Sequence, residues 1–264
     1  MPPPPPAPPL VFITGASSGI GQALAAEYAR QGWRLALVAR RMERVQQWLV
    51  EQGVGADRAA VYQADVADTD AIVAAAERCL AEQGLPAVVI ANAGISVGID
   101  TAERADLAVL QELYATNVLG MAATFHAFVQ PMRLARMGTL VGVASVAAIR
   151  GLPGHGGYCG SKAAVVAYCE SLRVELRADG VRVVTLVPGF VDTPLTRENR
   201  YPMPFLMAPE DFARKALPCI ARGKRFAVLP WPMAWVVALL RVLPRWLFDR
   251  VIAGRGRKQR RTVR

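Results

Sequence analysis

A tyrosine and a lysine four residues apart, in the run Tyr158-Cys159-Gly160-Ser161-Lys162, carry the chemistry most easily named in this chain. On a helix, residues at that spacing are neighbours on one face, so an ammonium would lie beside a phenol. A phenol ordinarily keeps its proton to pH ~10, and a cation about 5 Å away at an effective dielectric of ~20 is worth roughly 3 kcal/mol, or about 2 pKa units. A phenol tuned in that way exchanges protons near neutral pH, as a positioned acid/base does. Ser145, thirteen residues before the tyrosine, offers a hydroxyl to a reacting oxygen. Any helix can carry a Tyr and a Lys at this spacing, so the pair takes its meaning from what accompanies it.

Far upstream, Thr14-Gly15-Ala16-Ser17-Ser18-Gly19-Ile20-Gly21 follows an apolar run, Leu10 to Ile13, and opens an amphipathic stretch, Ala23 to Gln31. Strand, glycine turn and helix in that order form a phosphate site: glycines let the backbone approach a pyrophosphate, and the helix start supplies oriented N–H groups. Its spacing is G-x-x-x-G-x-G rather than G-x-G-x-x-G, and alone it could be an ordinary tight loop. It is joined, in chain order, by Asn92-Ala93-Gly94 after an apolar run, by Asn117, by Ser145, by Tyr158 and Lys162, and by Pro188-Gly189. The set reads as a carbonyl/alcohol redox site on a nucleotide-binding fold.

With these motifs the chain resembles the short-chain dehydrogenase/reductase family over roughly Leu10 to Val228. TGASSGIG, NAG, the step from Ser145 to Tyr158, YCGSK and PGFVDT (Pro188 to Thr193) all follow the family pattern. The resemblance implies that Tyr158 is the general acid/base, that Ser145 orients and polarises the substrate oxygen, that Lys162 binds the nicotinamide ribose, and that Asn117 completes a water-linked proton relay. It implies a cofactor site built from Gly15, Ser17, Ser18, Gly19, Ile20, Gly21, Asn92, Ala93, Gly94, Tyr158, Lys162, Pro188, Gly189, Val191 and Thr193. It also implies a homodimer or homotetramer.

The elements that must position these residues are legible as alternating apolar and amphipathic stretches, the pattern of an α/β, doubly wound parallel sheet of Rossmann type with helices on both faces. Strands are expected at Leu10 to Ile13, Arg34 to Ala39, Ala59 to Gln63, Ala87 to Ala91, Gly138 to Val143, Arg182 to Val187 and Arg225 to Val228. Every motif falls at the carboxyl end of one of them, where such sheets bind ligands. This divides the chain into a Pro-rich leader (1–9), a catalytic domain (10–229) and an apolar and basic C-terminal extension (230–264).

Cofactor choice is read at the end of the second strand. A free ribose 2'-hydroxyl is usually met there by an acid, and a 2'-phosphate by a cation. Here the strand runs into Ala39-Arg40-Arg41 with no carboxylate, so NADP(H) is preferred over NAD(H). Asp65-Val66, after the third strand, resembles the family's adenine contact, although an Asp there can equally be a helix cap. The substrate pocket is expected between Val146 to Gly157 and the long loop Phe190 to Met207, which contains Arg197, Arg200, Tyr201 and Phe205.

Composition excludes other classes. Two histidines, His126 and His155, give a metal site or a Ser-His-Asp triad little to build on and are taken as incidental, so no metal is expected. Four cysteines without C-x-x-C spacing read as reduced thiols of a cytoplasmic protein. The leader has no cationic start and no apolar core, so it is read as an extended polyproline segment rather than a signal peptide. Twelve of the 31 Lys and Arg lie from Arg222 onward, with Asp249 the one acid among them, so the net charge of +10 belongs to the extension. Its uncharged run Phe226 to Leu240, broken by Pro230 and Pro232, is too short to span a bilayer. With Trp231, Trp235 and Trp246, and with Trp246, Leu247, Val251 and Ile252 sharing a face between Pro244 and Gly254, it reads as a peripheral membrane segment. A subunit-burying or pocket-covering extension is the equal alternative, and no nucleic acid is expected from a basic run without a binding fold. Two functions follow: an NADP(H)-dependent oxidoreductase of an apolar ketone, aldehyde or alcohol, or a silent cofactor-binding scaffold working through its tail.

Overall fold

A computed structural model describes residues 7–199, 201–254 and 256–261; the calls on the first six leader residues and on Arg200, Arg255 and Arg264 lie outside these. Seven strands form one parallel sheet: β1 (Leu10–Thr14), β2 (Arg34–Ala39), β3 (Ala59–Gln63), β4 (Val88–Ala91), β5 (Thr139–Val143), β6 (Arg182–Pro188) and β7 (Phe226–Leu229). Their order is β3-β2-β1-β4-β5-β6-β7, so the direction of winding reverses between β1 and β4. The strands are nearly continuous apolar runs because both faces are covered. In β1, Leu10 and Phe12 enter one core with Tyr62, Phe125 and Phe128, whereas Val11 and Ile13 enter the other with Leu24, Leu35 and Phe212. Successive side chains of a strand point to opposite faces, and both cores here are dry.

The covering helices are α1 (Gly19–Arg30), α2 (Met42–Glu51), α3 (Thr69–Gln83), α4 (Asp106–Tyr114), α5 (Gly120–Ala135), α6 (Gly156–Glu175), α7 (Pro194–Arg197) and α8 (Pro209–Ala221). Asp68 caps α3 by accepting from the N–H groups of Asp70 and Ala71, leaving Asp65 free of that duty. Between α4 and α5 the chain does not stop: Ala115–Leu119 forms a π-helical turn, a geometry that often marks a functional position. Two further helices, α9 (Pro232–Val242) and α10 (Arg245–Ile252), belong to the extension.

The end of the extension packs on the domain. Residues 256–261 run back over the domain as a strap. Gly98 donates its N–H to the Gln259 carbonyl at 3.0 Å, and a Cβ on Gly98 would lie 2.4 Å from the carbonyl oxygens of both Lys258 and Gln259. Arg260 meets Asp106 with two hydrogen bonds (2.7 and 3.1 Å), Arg261 meets Glu112 at 2.8 Å, and Arg257 meets Asp100 at 3.2 Å. Lys258 is buried and donates to Asn199 Oδ1 at 2.5 Å. At the other terminus Pro8 and Pro9 are tied down through their carbonyls, by the Arg34 side chain and the Arg34 N–H, so the leader's last residues belong to the domain edge.

Asp106 is the strap's pin. The Arg260 guanidinium, and then the Asp100 N–H, hold its carboxyl below the ordinary carboxylate range. A lowered folded pKa stabilises fully above the unfolded value near ~3.9 and is lost as pH falls through the folded one. The urea midpoint should therefore fall more steeply between pH 5 and pH 3 in the native chain than in Asp106→Asn. At pH 8, trypsin should cut the variant after Arg257 or Lys258 several-fold faster; equal rates would mean that the strap does not depend on this pin.

Candidate active site

The site gathers at the carboxyl ends of β1, β4, β5 and β6, around the crevice between β1 and β4. A cleft of ≈ 310 Å³ there is lined by Gly15, Ser17, Ser18, Gly19 and Ile20 from the first turn, and by Arg40, Arg41, Asp65 and Val66 at its far end. Asn92, Ala93 and Gly94, then Ser145, Tyr158 and Lys162, then Pro188, Gly189, Val191 and Thr193 complete its walls. Two expected residues stand behind the wall instead. A Cβ on Gly21 would lie 2.3 Å from the Gly15 carbonyl oxygen, so Gly21 lets the turn close on itself. Asn117 is fully buried in the π-helical turn.

Asn117 is a brace. Its Nδ2 donates to Ile95 O at 3.0 Å and to Ser161 Oγ at 2.9 Å, and its Oδ1 accepts from Ile95 N at 2.8 Å. Both amide hydrogens are committed, so the water relay that the resemblance implied would use Asn117 as an acceptor. Thr14, quoted in the glycine motif but not singled out, is a second brace: its Oγ1 accepts from the N–H groups of Asn92 and Ala93 at 3.1 and 3.2 Å.

Lys162 departs from the expected pairing. Its Nζ donates to the Val143 carbonyl at 2.8 Å, and the ammonium is buried at the floor of the cleft. Burial lowers its pKa to about 8. Burial raises the Tyr158 phenol to about 12, partly offset by the Ser145 hydroxyl beside it. Burial thus acts on Tyr158 in the opposite sense to the lowering expected from Lys162, whose ammonium donates to the Val143 carbonyl. A phenol so raised keeps its proton, and Ser145, whose Oγ accepts from Ala147 N at 3.1 Å, keeps its own hydrogen to offer.

The cleft fits a nicotinamide dinucleotide. Ser18 starts α1 without a side-chain acceptor for the first-turn N–H groups, and no acid lies in that turn, so these donors face the cleft ready for a pyrophosphate. The Lys162 ammonium has one protein acceptor among the described residues, leaving N–H groups for ribose hydroxyls. When bound, such a cofactor supplies or accepts a hydride. At the adenine end, Arg40 Nη1 lies 3.5 Å from Asp65 Oδ2, both well exposed. A carboxylate absent from β2 thus arrives from the end of β3, where its Oδ1 also accepts from Ala67 N.

A second cavity of ≈ 740 Å³ adjoins the first, and Ser145, Tyr158, Gly189, Leu195 and Thr196 line both. Parts of the two expected segments form its walls, including Val146, Leu152, Phe190 and Tyr201. The extension supplies another wall through Met233, Val236, Leu240, Leu243, Phe248, Val251 and Ile252, so it covers the pocket. Arg150 fastens that wall, donating to Leu240 O at 2.9 Å and to Leu243 O, with its guanidinium 5.1 Å above the Phe248 ring. Arg197 instead pairs with Asp192 at 2.8 Å, and Phe205 is exposed away from the cavity.

His155, taken as incidental, is buried in the cavity wall. Its Nδ1 faces the Pro153 carbonyl at 3.3 Å and its Nε2 faces Tyr201 Oη at 3.2 Å. A carbonyl only accepts, so Nδ1 carries the hydrogen. Burial keeps the imidazole neutral by lowering its pKa. Tyr201 then donates to Nε2 and leaves its oxygen as an acceptor. Nothing local in the sequence marks this pair, 46 residues apart.

The family model for short chain dehydrogenases matches residues 9–203. The chain belongs to the short-chain dehydrogenase/reductase family and is an oxidoreductase of the NAD(P)-dependent kind. It is 40% identical over 238 residues to an uncharacterized oxidoreductase of Myxococcus xanthus, covering 90% of this chain and 94% of the relative. A short-chain dehydrogenase of Sphingobium yanoikuyae in complex with NADPH superposes with a TM-score of 0.76 at 25% identity, covering 94% and 98% of the two chains. A Burkholderia phymatum family member in complex with NAD shares the fold, with a TM-score of 0.79 at 23% identity over 88% and 92%.

Tyr158→Phe should bind cofactor within a few-fold of the native chain and lose turnover by about 10² to 10⁴; unchanged turnover would remove Tyr158 from the chemistry. Cofactor affinity of the free protein should fall as pH rises through about 8, where Lys162 loses its charge. The step should vanish in Lys162→Met, whose affinity is weaker throughout; fluorescence titration across pH 6 to 10 measures it.

Proposed function

We propose that this protein is an NADPH-dependent reductase of a bulky apolar ketone or aldehyde, with Tyr158 as the proton donor, Ser145 polarising the carbonyl oxygen and Lys162 holding the ribose. One observation carries the reading: Tyr158 and Ser145 sit where the nucleotide cleft meets a largely apolar cavity. A carbonyl placed at that junction faces the Tyr158 phenol and the Ser145 hydroxyl, the groups that reduction asks to give a proton and to polarise the oxygen. The scaffold alternative has no observation in its favour, since the reacting groups are intact and reachable from the cavity.

The preference for NADPH rests on Arg40 and Arg41 beside the start of α2, whose N-terminus favours negative charge. The exposed Arg40–Asp65 pair is a weak one, of about 0 to 1 kcal/mol, which a 2'-phosphate would outcompete for the guanidinium. The expected dimer or tetramer is supported by exposed Leu107, Tyr114, Leu119 and Tyr168 on α4, the π-helical turn and α6, which a second copy would cover. The setting is the cytoplasmic periphery of a membrane; no helix among the described residues is long and apolar enough to cross one.

Titration with both cofactors should give at least tenfold tighter binding of NADPH than of NADH. Replacing Arg40 and Arg41 together by Ala should abolish the difference while leaving NADH affinity within a few-fold. Equal affinities in the native chain would overturn the preference.

A further inference from the structure

Apart from Arg241 in its last turn, whose guanidinium lies over the Phe226 ring, α9 carries no charged side chain. Met233 and Val237 are buried, and Val236 and Leu240 line the cavity. Trp231, at the cap of α9, then Trp235, Leu239 and Val242 are spaced four, four and three apart, which places them in one stripe. That stripe is in solvent, with Trp231 69% and Trp235 73% exposed. Trp246 on α10 is 67% exposed, and Val251 is exposed as well. Three such tryptophans alone present on the order of 400 to 500 Å² of ring surface, at the upper end of what a monomer leaves uncovered. This divides the expected apolar face of α10: Phe248 and Ile252 turn inward, and Trp246 and Val251 remain outside.

Charge decides what covers this face. Arg245 and Arg250 are exposed and make no ion pair among the described residues, and Asp249 is the one acid on α9 and α10. Two copies meeting symmetrically through the stripe would bring these arginines toward their own mates with little to offset them. An anionic bilayer accepts both features: tryptophans sit at headgroup level, and each arginine near the surface is attracted by anionic lipid. The strap's arginines do not contribute, being paired with Asp100, Asp106 and Glu112.

The rim of the cavity includes exposed residues of α9 and α10, together with Leu195, Pro202 and Pro204. Val236 and Val251 both line the cavity and are exposed. We propose that the outer face of α9 and α10 docks on an anionic membrane surface and turns the cavity mouth to the lipid, so that an apolar carbonyl compound dissolved in the bilayer reaches Tyr158 without crossing water. The docking half stands on the exposed face alone; the choice of substrate rests on the reductase reading above.

Sedimentation of the full chain with phosphatidylcholine vesicles, with and without about 30% phosphatidylserine, separates the two halves. The chain should bind the anionic vesicles at least tenfold more tightly than the neutral ones, and salt should release it only in part. The variant Trp231→Ser, Trp235→Ser, Trp246→Ser and the variant Arg245→Glu, Arg250→Glu should each lose at least tenfold, with cofactor affinity and thermal midpoint close to native to show that they fold. Absence of vesicle binding by the native chain, or a tryptophan variant that merely dissociates into monomers, would overturn the docking face. Vesicle binding together with no turnover of any apolar carbonyl would leave the face standing and overturn the reductase reading instead.

Discussion

An ammonium held almost out of water, with one protein carbonyl to bond, is the constraint to which the rest of this structure accommodates. Burying a charge is costly unless it is paired and hydrogen-bonded, and among the described residues Val143 O is the one acceptor of the Lys162 ammonium. The fold brings it there by close approach. A Cβ on Gly142 would lie 2.4 Å from Cys169 Sγ, so only glycine lets α6 settle this near β5. A Cβ on Gly94 would crowd Asn117 Oδ1 and Lys162 Nζ at 3.1 and 3.3 Å. Asn117 then ties Ser161 on α6 to the loop after β4, fixing the helix that carries both Tyr158 and Lys162. The lowered lysine and raised tyrosine are consequences of that packing, which places the ammonium where it could donate to ribose hydroxyls.

The extension shows a different division of labour between charge and apolar surface. The pairs of the strap are mostly exposed, and such pairs contribute little individually; what orders the strap is the Arg260 pair with the buried Asp106 and the close seat at Gly98. The apolar residues of α9 and α10 divide between lining the cavity and facing outward. Arg150 links the two, capping carbonyls at the end of α9 while its own backbone lies in the segment leading to α6. The substrate wall is therefore fastened to the segment that also presents Ser145 and Tyr158.

Local pattern made the sheet and the cofactor cleft legible, because both depend on residues close in sequence. All seven strands lie within one residue of their expected ends, since a parallel strand covered on both faces must be a short apolar run. The glycine turn, Asn92 to Gly94 and the Tyr158–Lys162 spacing led to residues around one crevice. What failed was non-local. Arg260 and Asp106 are 154 residues apart, and His155 and Tyr201 are 46 apart, so composition read Arg260 as part of a basic extension and His155 as incidental. The direction of the Lys162 ammonium was beyond pattern as well: i, i+4 spacing fixes a shared face, and the nearby carbonyl at the end of β5 decides where the long side chain points.

Recognition in the cavity follows from the same geometry. A largely apolar wall discriminates weakly, with one methylene worth about 1 to 3 kcal/mol, whereas a buried polar group left unpaired by the wrong substrate discriminates by far more. Among the described residues, His155 and Tyr201 form a polar pair on that wall, and their tautomer leaves an oxygen that can accept but has no hydrogen to give. Arg150, which also lines the cavity, is committed to the carbonyls of Leu240 and Leu243 and to the Phe248 ring, so it is not a free cation for an anionic substrate. On the reductase reading proposed above, the pocket would favour an apolar body with at most a hydroxyl near Tyr201 over a carboxylate. Finer selection must come from shape along α9 and α10, the wall whose outer side is still bare.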